Sequence, residues 1–311
     1  MTTQGYGFGK VILFNEHFVV YGVPAIASAI ELKTIAFAEP LGMGGISLSD
    51  EREAGKGYKE GKLEQQKESL QRIIKVAKID PSKKPVKLIL KGDLRAESGI
   101  GASAASCVAI ARALSKYLDL GLSNEKINEI SYEGEKGYHG TPSGIDNTAA
   151  TYGGLIWFEK GNPNVIDRIK LRNPVEIVLG NTGIVADTKA VVSGVKERKE
   201  KYPEKYDAIF EDAKRLVHDA RDALEKFDLK KVGLLMNENH RLLQKIEVSS
   251  SKLDFLVNLA IEQGAFGAKM TGGGLGGNMV ALTPGKEIQE KVAKAITREG
   301  FEVSKTRIGV E

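Results

Sequence analysis

Residues 93–106, DLRAESGIGASAAS, decide how this chain is read. A run so rich in Gly, Ala and Ser is either a slack connector or a loop built to hold something. Its neighbours answer part of the question. Before it, VKLILKGDL (86–94) alternates as a strand does. After it, Cys107, Ile110, Ala111, Leu114 and Leu118 fall at i, i+3, i+4, i+7 and i+11, the spacing of a helix face. Flexible connectors do not normally run straight into an amphipathic helix. Unpaired N–H groups at a helix N-terminus, at the positive end of its dipole, suit a phosphate. The residues alone leave two readings, a phosphate loop or a tight-packing glycine turn. A Walker-type loop is excluded, because no lysine stands where G-x-x-x-x-G-K-[ST] requires it.

Bulk properties narrow the class. A chain of 311 residues has room for one large domain or two ordinary ones. The net charge of +4 is spread along the chain, which does not argue for a nucleic-acid partner and would not repel an anionic substrate. The single cysteine, Cys107, rules out an intramolecular disulfide and a multi-cysteine metal cluster, and fits a reducing compartment. MTTQGYGFGK lacks the features of a secretion signal, and no apolar run approaches the roughly 20 residues of a membrane span. The expectation is a cytoplasmic protein with no membrane partner.

Along the chain, KVILFNEHFVV reads as a buried strand around 11–14, followed by strand-like pieces in VPAIASAIEL and TIAFAEP. Residues 49–85 are polar and charged and read as a solvated insert, a loop and then an exposed helix ending before Pro81. Gly121 is expected to stop the helix after Ser103, and Ser123 to cap another through NEKINEISYEGEKG. The pattern restarts near residue 175 with a strand, PVEIVLGNTGIV, then the charged stretch KERKEKYPEKYD and helices at 207–226, 229–245 and 252–263. The end reads strand, glycine loop, strand, helix, strand. Two α+β lobes, 1–174 and 175–311, are the expected organisation.

Three small-residue clusters stand out: 98–106, HGTPSGID (139–146) and TGGGLGG (271–277). Each alone is weak, since 35 glycines make chance motifs. Charged residues flank them. Lys10 precedes the first strand, Glu16 and His17 follow it, Glu135 closes a helix and Asp146 follows a Pro-Ser-Gly turn, where an Asp is ordinarily a turn residue or cap. The four histidines lack zinc-hydrolase spacing, and His218 and His240 read as surface or packing residues on helices. GIGASAAS is not G-x-S-x-G, and no G-x-G-x-x-G marks a dinucleotide fold. What remains is a phosphate cradle, a lysine, a glutamate able to meet magnesium and a carboxylate base, the parts of phosphoryl transfer.

In order, these segments resemble the GHMP kinase superfamily, and within it the mevalonate kinase family. GKVILFNEHFVVYGVPAIASAI (9–30) is similar to that family's opening G-K-[VI]-x-L-[FG]-G-E-H-x-V-V-[YH]-G. SGIGASAAS is similar to its phosphate loop, EKGYHGTPSGIDNTAATYGG (135–154) to E-x-x-x-H-G-x-P-S-G-x-D-N, and KMTGGGLGGNMVAL to K-[LM]-T-G-A-G-G-G-G. NTGIVADTKAVVSGV (181–195) resembles a further segment. The resemblance spans most of both lobes. It implies an α+β, two-lobed GHMP kinase fold, with an N-terminal lobe like ribosomal protein S5 domain 2, carrying a left-handed β-α-β crossover, and a ferredoxin-like C-terminal lobe. It implies ATP-dependent phosphorylation of the mevalonate 5-hydroxyl, with ATP and substrate between the lobes, and permits a homodimer.

Carried over by position, the resemblance makes Asp146 the base and Lys10 the residue that orients it and stabilises the alkoxide. Ser98, Gly99, Ile100, Gly101, Ala102, Ser103 and Ala104 would cradle the ATP phosphates, with Ser103 and Glu135 as Mg²⁺ ligands. Glu16, His17, Asp146, Thr188 and Gly273 would meet the substrate, with His17 a candidate partner for its carboxylate. The chain departs from the pattern at four places. Asn15 replaces a glycine and offers an amide as a candidate substrate contact; Ala102 replaces a serine; Glu97 adds a charge beside the loop; Leu275 interrupts the last glycine run. Two alternatives stay open: a kinase of another small alcohol, such as phosphomevalonate or homoserine, and a non-catalytic nucleotide or metabolite sensor.

Overall fold

The chain leads with β1, Thr3–Phe14, and returns along β2, Ala25–Pro40, in a computed structural model that describes residues 2–42 and 44–311. By compactness it divides into two units. The first takes the chain up to Lys10 with Ala29–Gly153, and the second takes Val11–Ser28 with Gly154–Glu311. This division differs from a single cut at 174, since 11–28 and 154–174 fall in the second unit.

In the first unit, β2 pairs antiparallel with β4, Val86–Gly92, and β4 pairs parallel with β3, Ile46–Asp50. Five helices accompany these strands: α1 Tyr58–Gly61, α2 Leu63–Val76, α3 Ala102–Tyr117, α4 Asn124–His139 and α5 Ile145–Tyr152. The core joins Ala36, Leu88 and Leu90 of the sheet to Leu70, Ile73, Val108, Leu114, Ile127 and Ile130 of the helices. The helix face read from Cys107, Ile110, Ala111 and Leu114 is buried, and so is most of the rest of α3. Its many alanines let neighbours approach from every side. The helix ends before Leu118, ahead of Gly121, and Ser123 caps α4 by accepting from the Lys126 N–H at 3.3 Å. The insert is less solvated than its charge suggests. Leu70 and Ile73 seat α2 in the core against α4, because an apolar stripe three residues apart suffices to bury one helix face.

Gly5 and Gly7 bring β1 onto α3. A β-carbon at Gly7 would lie 2.3 Å from the Ala105 carbonyl oxygen, and one at Gly5 would lie 2.5 Å from that of Ala109. Two residues along a strand and four along a helix keep to one face of each element, so the two backbones touch in register.

In the second unit, β5 Leu155–Glu159 pairs with residues 25–28 of β2 and with β6 Val165–Ile169. Then follow β7 Val175–Asn181, α6 Thr188–Lys201, α7 Pro203–Glu225, α8 Leu229–Lys245, α9 Ser251–Glu262, β8 Gly267–Thr271, β9 Asn278–Leu282, α10 Lys286–Arg298 and β10 Glu302–Ile308. The order β10–β7–β9–β8 is antiparallel throughout. Helices α8 and α9 pack on β8, whose five residues are all buried. The charged stretch KERKEKYPEKYD, left without an element in the sequence, is helical. It ends α6, and α7 begins at Pro203, where proline is well suited to the first turn. β5, β6 and α5 had no counterpart in the sequence reading. The α+β class with a mixed sheet is the one the chain adopts. Among the described residues, no helix is long and apolar enough to cross a membrane.

Replacing Gly7 with Ala forces β1 off α3 and is expected to destabilise the protein by about 1–3 kcal/mol. Gly61→Ala, with nothing within 4 Å of the added carbon, is the control. Urea unfolding of both variants checks the difference.

Candidate active site

The loop between β4 and α3 turns on two left-handed glycines, Gly99 (φ 67°) and Gly101 (φ 82°). At Gly101 a side chain would be strained by that φ and would also lie 2.9 Å from Cγ of Lys10. The Ile100 carbonyl accepts from the Lys10 N–H at 2.8 Å, so the loop is tied to β1 at the residue that carries the lysine. Gly101 caps α3 without a side chain, and the first turn keeps its N–H groups at a positive dipole end.

Beside that turn, four charged or polar side chains of the first unit meet. Lys10 Nζ lies 3.2 Å from Asp146 Oδ1; the lysine is buried and the carboxylate about one-third exposed. Asp146 sits in the first turn of α5, after Gly144 at φ 95°. Glu135 lies in α4 and is 1% exposed. Burial first, and then the charge of Asp146, push its carboxyl up to about 8, against the hydrogen bond from Ser103 and the charge of Lys10. Ser103 Oγ also lies 3.2 Å from His139 Nε2. Lys10, Ser103, Glu135 and Asp146 are thus gathered at the start of α3.

This donor set suits a hard divalent cation. The Glu135 carboxylate and Ser103 hydroxyl are oxygen ligands, and the cation's charge would relieve what burial and Asp146 impose on Glu135. Among the described residues, no three His, Cys, Asp or Glu side chains form a metal cage by themselves. Mg²⁺ characteristically takes one or two carboxylates and completes its shell with water and phosphate oxygens.

The other candidate residues belong to the second unit. His17 Nε2 lies 3.1 Å from the Gly273 carbonyl. Burial chiefly, with Lys269 and Arg198 nearby, lowers its pKa to about 4. The ring is therefore neutral near pH 7 and donates from Nε2, so of the two ways a side chain can meet a carboxylate, by charge or by hydrogen bond, only the second is open to it. Thr188 opens α6 behind its cap Asp187, and its Oγ1 would be 2.3 Å from a β-carbon on Gly273, so a side chain there would displace Thr188. Glu16 is buried and its Oε1 accepts from Nζ of Lys269, which also donates to the Met270 carbonyl at 2.6 Å. The sequence reading missed Lys269. A lone lysine inside the apolar strand GAKMT was its signal.

Asn15 is a correction. Its amide faces inward: Nδ2 donates to the carbonyls of Pro24 (2.8 Å) and Ala213 (3.0 Å), and Oδ1 accepts from Asn239 at 2.8 Å. Its φ of 71° explains why glycine suits the position and why Asn is tolerated. Glu97 is balanced by Arg95 at 3.0 Å and accepts from the Gly55 N–H at 2.7 Å. Leu275 takes a left-handed φ of 54° and keeps the glycine turn. His240 is a buried strut. Its Nδ1 accepts from the Met270 N–H at 3.3 Å, its Nε2 meets Asp254 at 3.0 Å, and burial lowers its pKa to about 4.

The GHMP kinases N terminal domain family matches residues 67–154, and the GHMP kinases C terminal family matches 220–302. Mevalonate kinase of Pyrococcus abyssi is 38% identical over 97% of this chain and 94% of its own length. That of Saccharolobus solfataricus is 30% identical over 88% and 87%. The crystal structure of L. major mevalonate kinase in complex with R-mevalonate superposes with a TM-score of 0.94 at 38% identity, over 99% of this chain and 96% of that one. A Streptococcus pneumoniae phosphomevalonate kinase, at 15% identity and TM-score 0.78 over 99% and 100%, shares the fold.

His17 and His240 hold protons less readily folded than unfolded, where 6.5 applies. Their contribution to stability is whole above about pH 6.5 and is lost as pH falls toward 4. NMR titration should keep both rings neutral at pH 5; a ring charged at pH 6 would contradict this. Glu135 has the opposite sign. Its contribution is whole below 4.5 and lost as pH rises through about 8. Without divalent cation, Glu135→Gln should therefore gain stability over the parent at pH 8.5, measured by urea unfolding.

Proposed function

The chain belongs to the mevalonate kinase family of the GHMP kinases, and on that premise we propose that it transfers the γ-phosphoryl group of ATP to the 5-hydroxyl of mevalonate. The observation that carries this is the Lys10–Asp146 pair, 3.2 Å apart, beside Glu135 and Ser103 at the start of α3. The Gly99–Ser103 backbone would hold the phosphates by N–H groups. Glu135 and Ser103 would hold Mg²⁺, which when bound neutralises phosphate charge.

An alcohol with a pKa of about 16 is not deprotonated outright by a carboxylate. Asp146 instead receives the hydroxyl proton as the oxygen–phosphorus bond forms and the bond to the ADP oxygen breaks in line. Lys10 keeps Asp146 oriented and its ammonium stabilises the charge growing on the alcohol oxygen. The exposed edge of Asp146 leaves a carboxylate oxygen available to that hydroxyl, whereas buried Lys10 is held in place. Glu16, His17, Thr188 and Gly273 recognise the alcohol in this proposal. His17 serves there as a neutral hydrogen-bonding ring, and Lys269 fixes Glu16.

Asp146→Asn should lower kcat by roughly 10²–10⁴-fold while ATP binding persists. Lys10→Met should lower it comparably without unfolding the protein. A coupled ADP-release assay over mevalonate, phosphomevalonate and homoserine checks both. Near-parental turnover in Asp146→Asn removes the base from its role, and turnover of another alcohol alone replaces the substrate.

A further inference from the structure

Arg52 lies in the polar insert, yet its side chain is 4% exposed and that of Asp50 is 8% exposed. The guanidinium grips Asp50 with two edges, Nε to Oδ1 at 2.9 Å and Nη2 to Oδ2 at 2.7 Å. Its remaining nitrogen, Nη1, donates to Thr34 Oγ1 on β2 at 2.9 Å and to the Ala102 carbonyl at 3.3 Å. Gln66 of α2 reaches Asp50 Oδ2 at 3.4 Å, and Ser106 Oγ donates to the same Ala102 carbonyl at 2.7 Å. We infer that Arg52 is a positioning residue for nucleotide binding, acting through the Ala102–Ser103 peptide.

A peptide unit is planar, with its C=O and N–H pointing in opposite directions. Holding the Ala102 oxygen therefore fixes the direction of the Ser103 N–H, on the opposite side of the same peptide plane, and with it the first turn of α3. The pairing with Asp50 cancels the arginine's charge, so its contribution is directional. A lysine carries the same charge but lacks the planar fork needed to reach Asp50, Thr34 and Ala102 together.

The inference rests on the proposed ATP site, and its test separates the two. MgATP binding is measured by calorimetry, alongside steady-state kinetics, for the parent, Arg52→Lys, and the Arg52→Gln/Asp50→Asn pair. The pair removes both buried charges together, so no lone charge is left to unfold the protein. Expected is roughly tenfold weaker MgATP binding in both variants, the effect of one lost charge-assisted hydrogen bond. KM for ATP should rise to match, with KM for the alcohol unchanged. Parental MgATP affinity in Arg52→Lys or in the pair overturns the inference. So does an equal rise in both KM values, which marks a merely structural role. A parent that binds no MgATP overturns the ATP site itself.

Discussion

Backbone meets backbone where β1 crosses α3, and the chemistry of the first unit depends on that contact. Gly5 and Gly7 remove the side chains that would hold the two elements apart. Lys10 follows on the same strand and donates its N–H to Ile100. The lysine and the glycine loop are therefore placed by one rigid contact between a strand and a helix. A loop held only by its own residues would sample many conformations; here the fold has already removed that freedom.

Buried charge is handled in opposed pairs. Lys10 faces Asp146, Arg52 grips Asp50, and in the second unit Glu16 meets Lys269. Desolvating an ion is costly, and such pairs persist only where geometry and further hydrogen bonds compensate. Arg52 and Lys269 each have those bonds. Glu135 lacks a close cationic partner of that kind, and burial beside Asp146 pushes its carboxyl upward. The asymmetry singles out Glu135 as the carboxylate whose environment favours a proton or an added cation.

Long periodic segments were legible in the sequence. The α3 face, the Ser123 cap and the closing strand–loop–strand–helix–strand order follow from local spacing, which the tertiary structure had no reason to override. Other segments misled for identifiable reasons. β6 exposes four of its five residues and has no alternation to detect. The end of α6 is charged all round, with no apolar face from which to read a helix. The insert at 49–85 conceals Leu70, Ile73 and Arg52 among solvated neighbours.

The roles given to Lys10, Ser103, Glu135 and Asp146 came from the family resemblance, while the order of residue types determined by itself that a glycine loop leads into a helix and that the next helix starts at Ser123. Local propensity and spacing act over a few residues, so these features needed no partner. Only the folded chain decided that those four side chains converge, that Asn15 turns inward, that His17 is neutral and that Arg52 donates to the Ala102 carbonyl. Each of these depends on desolvation or on hydrogen bonds between residues distant in the chain, which composition and periodicity do not encode.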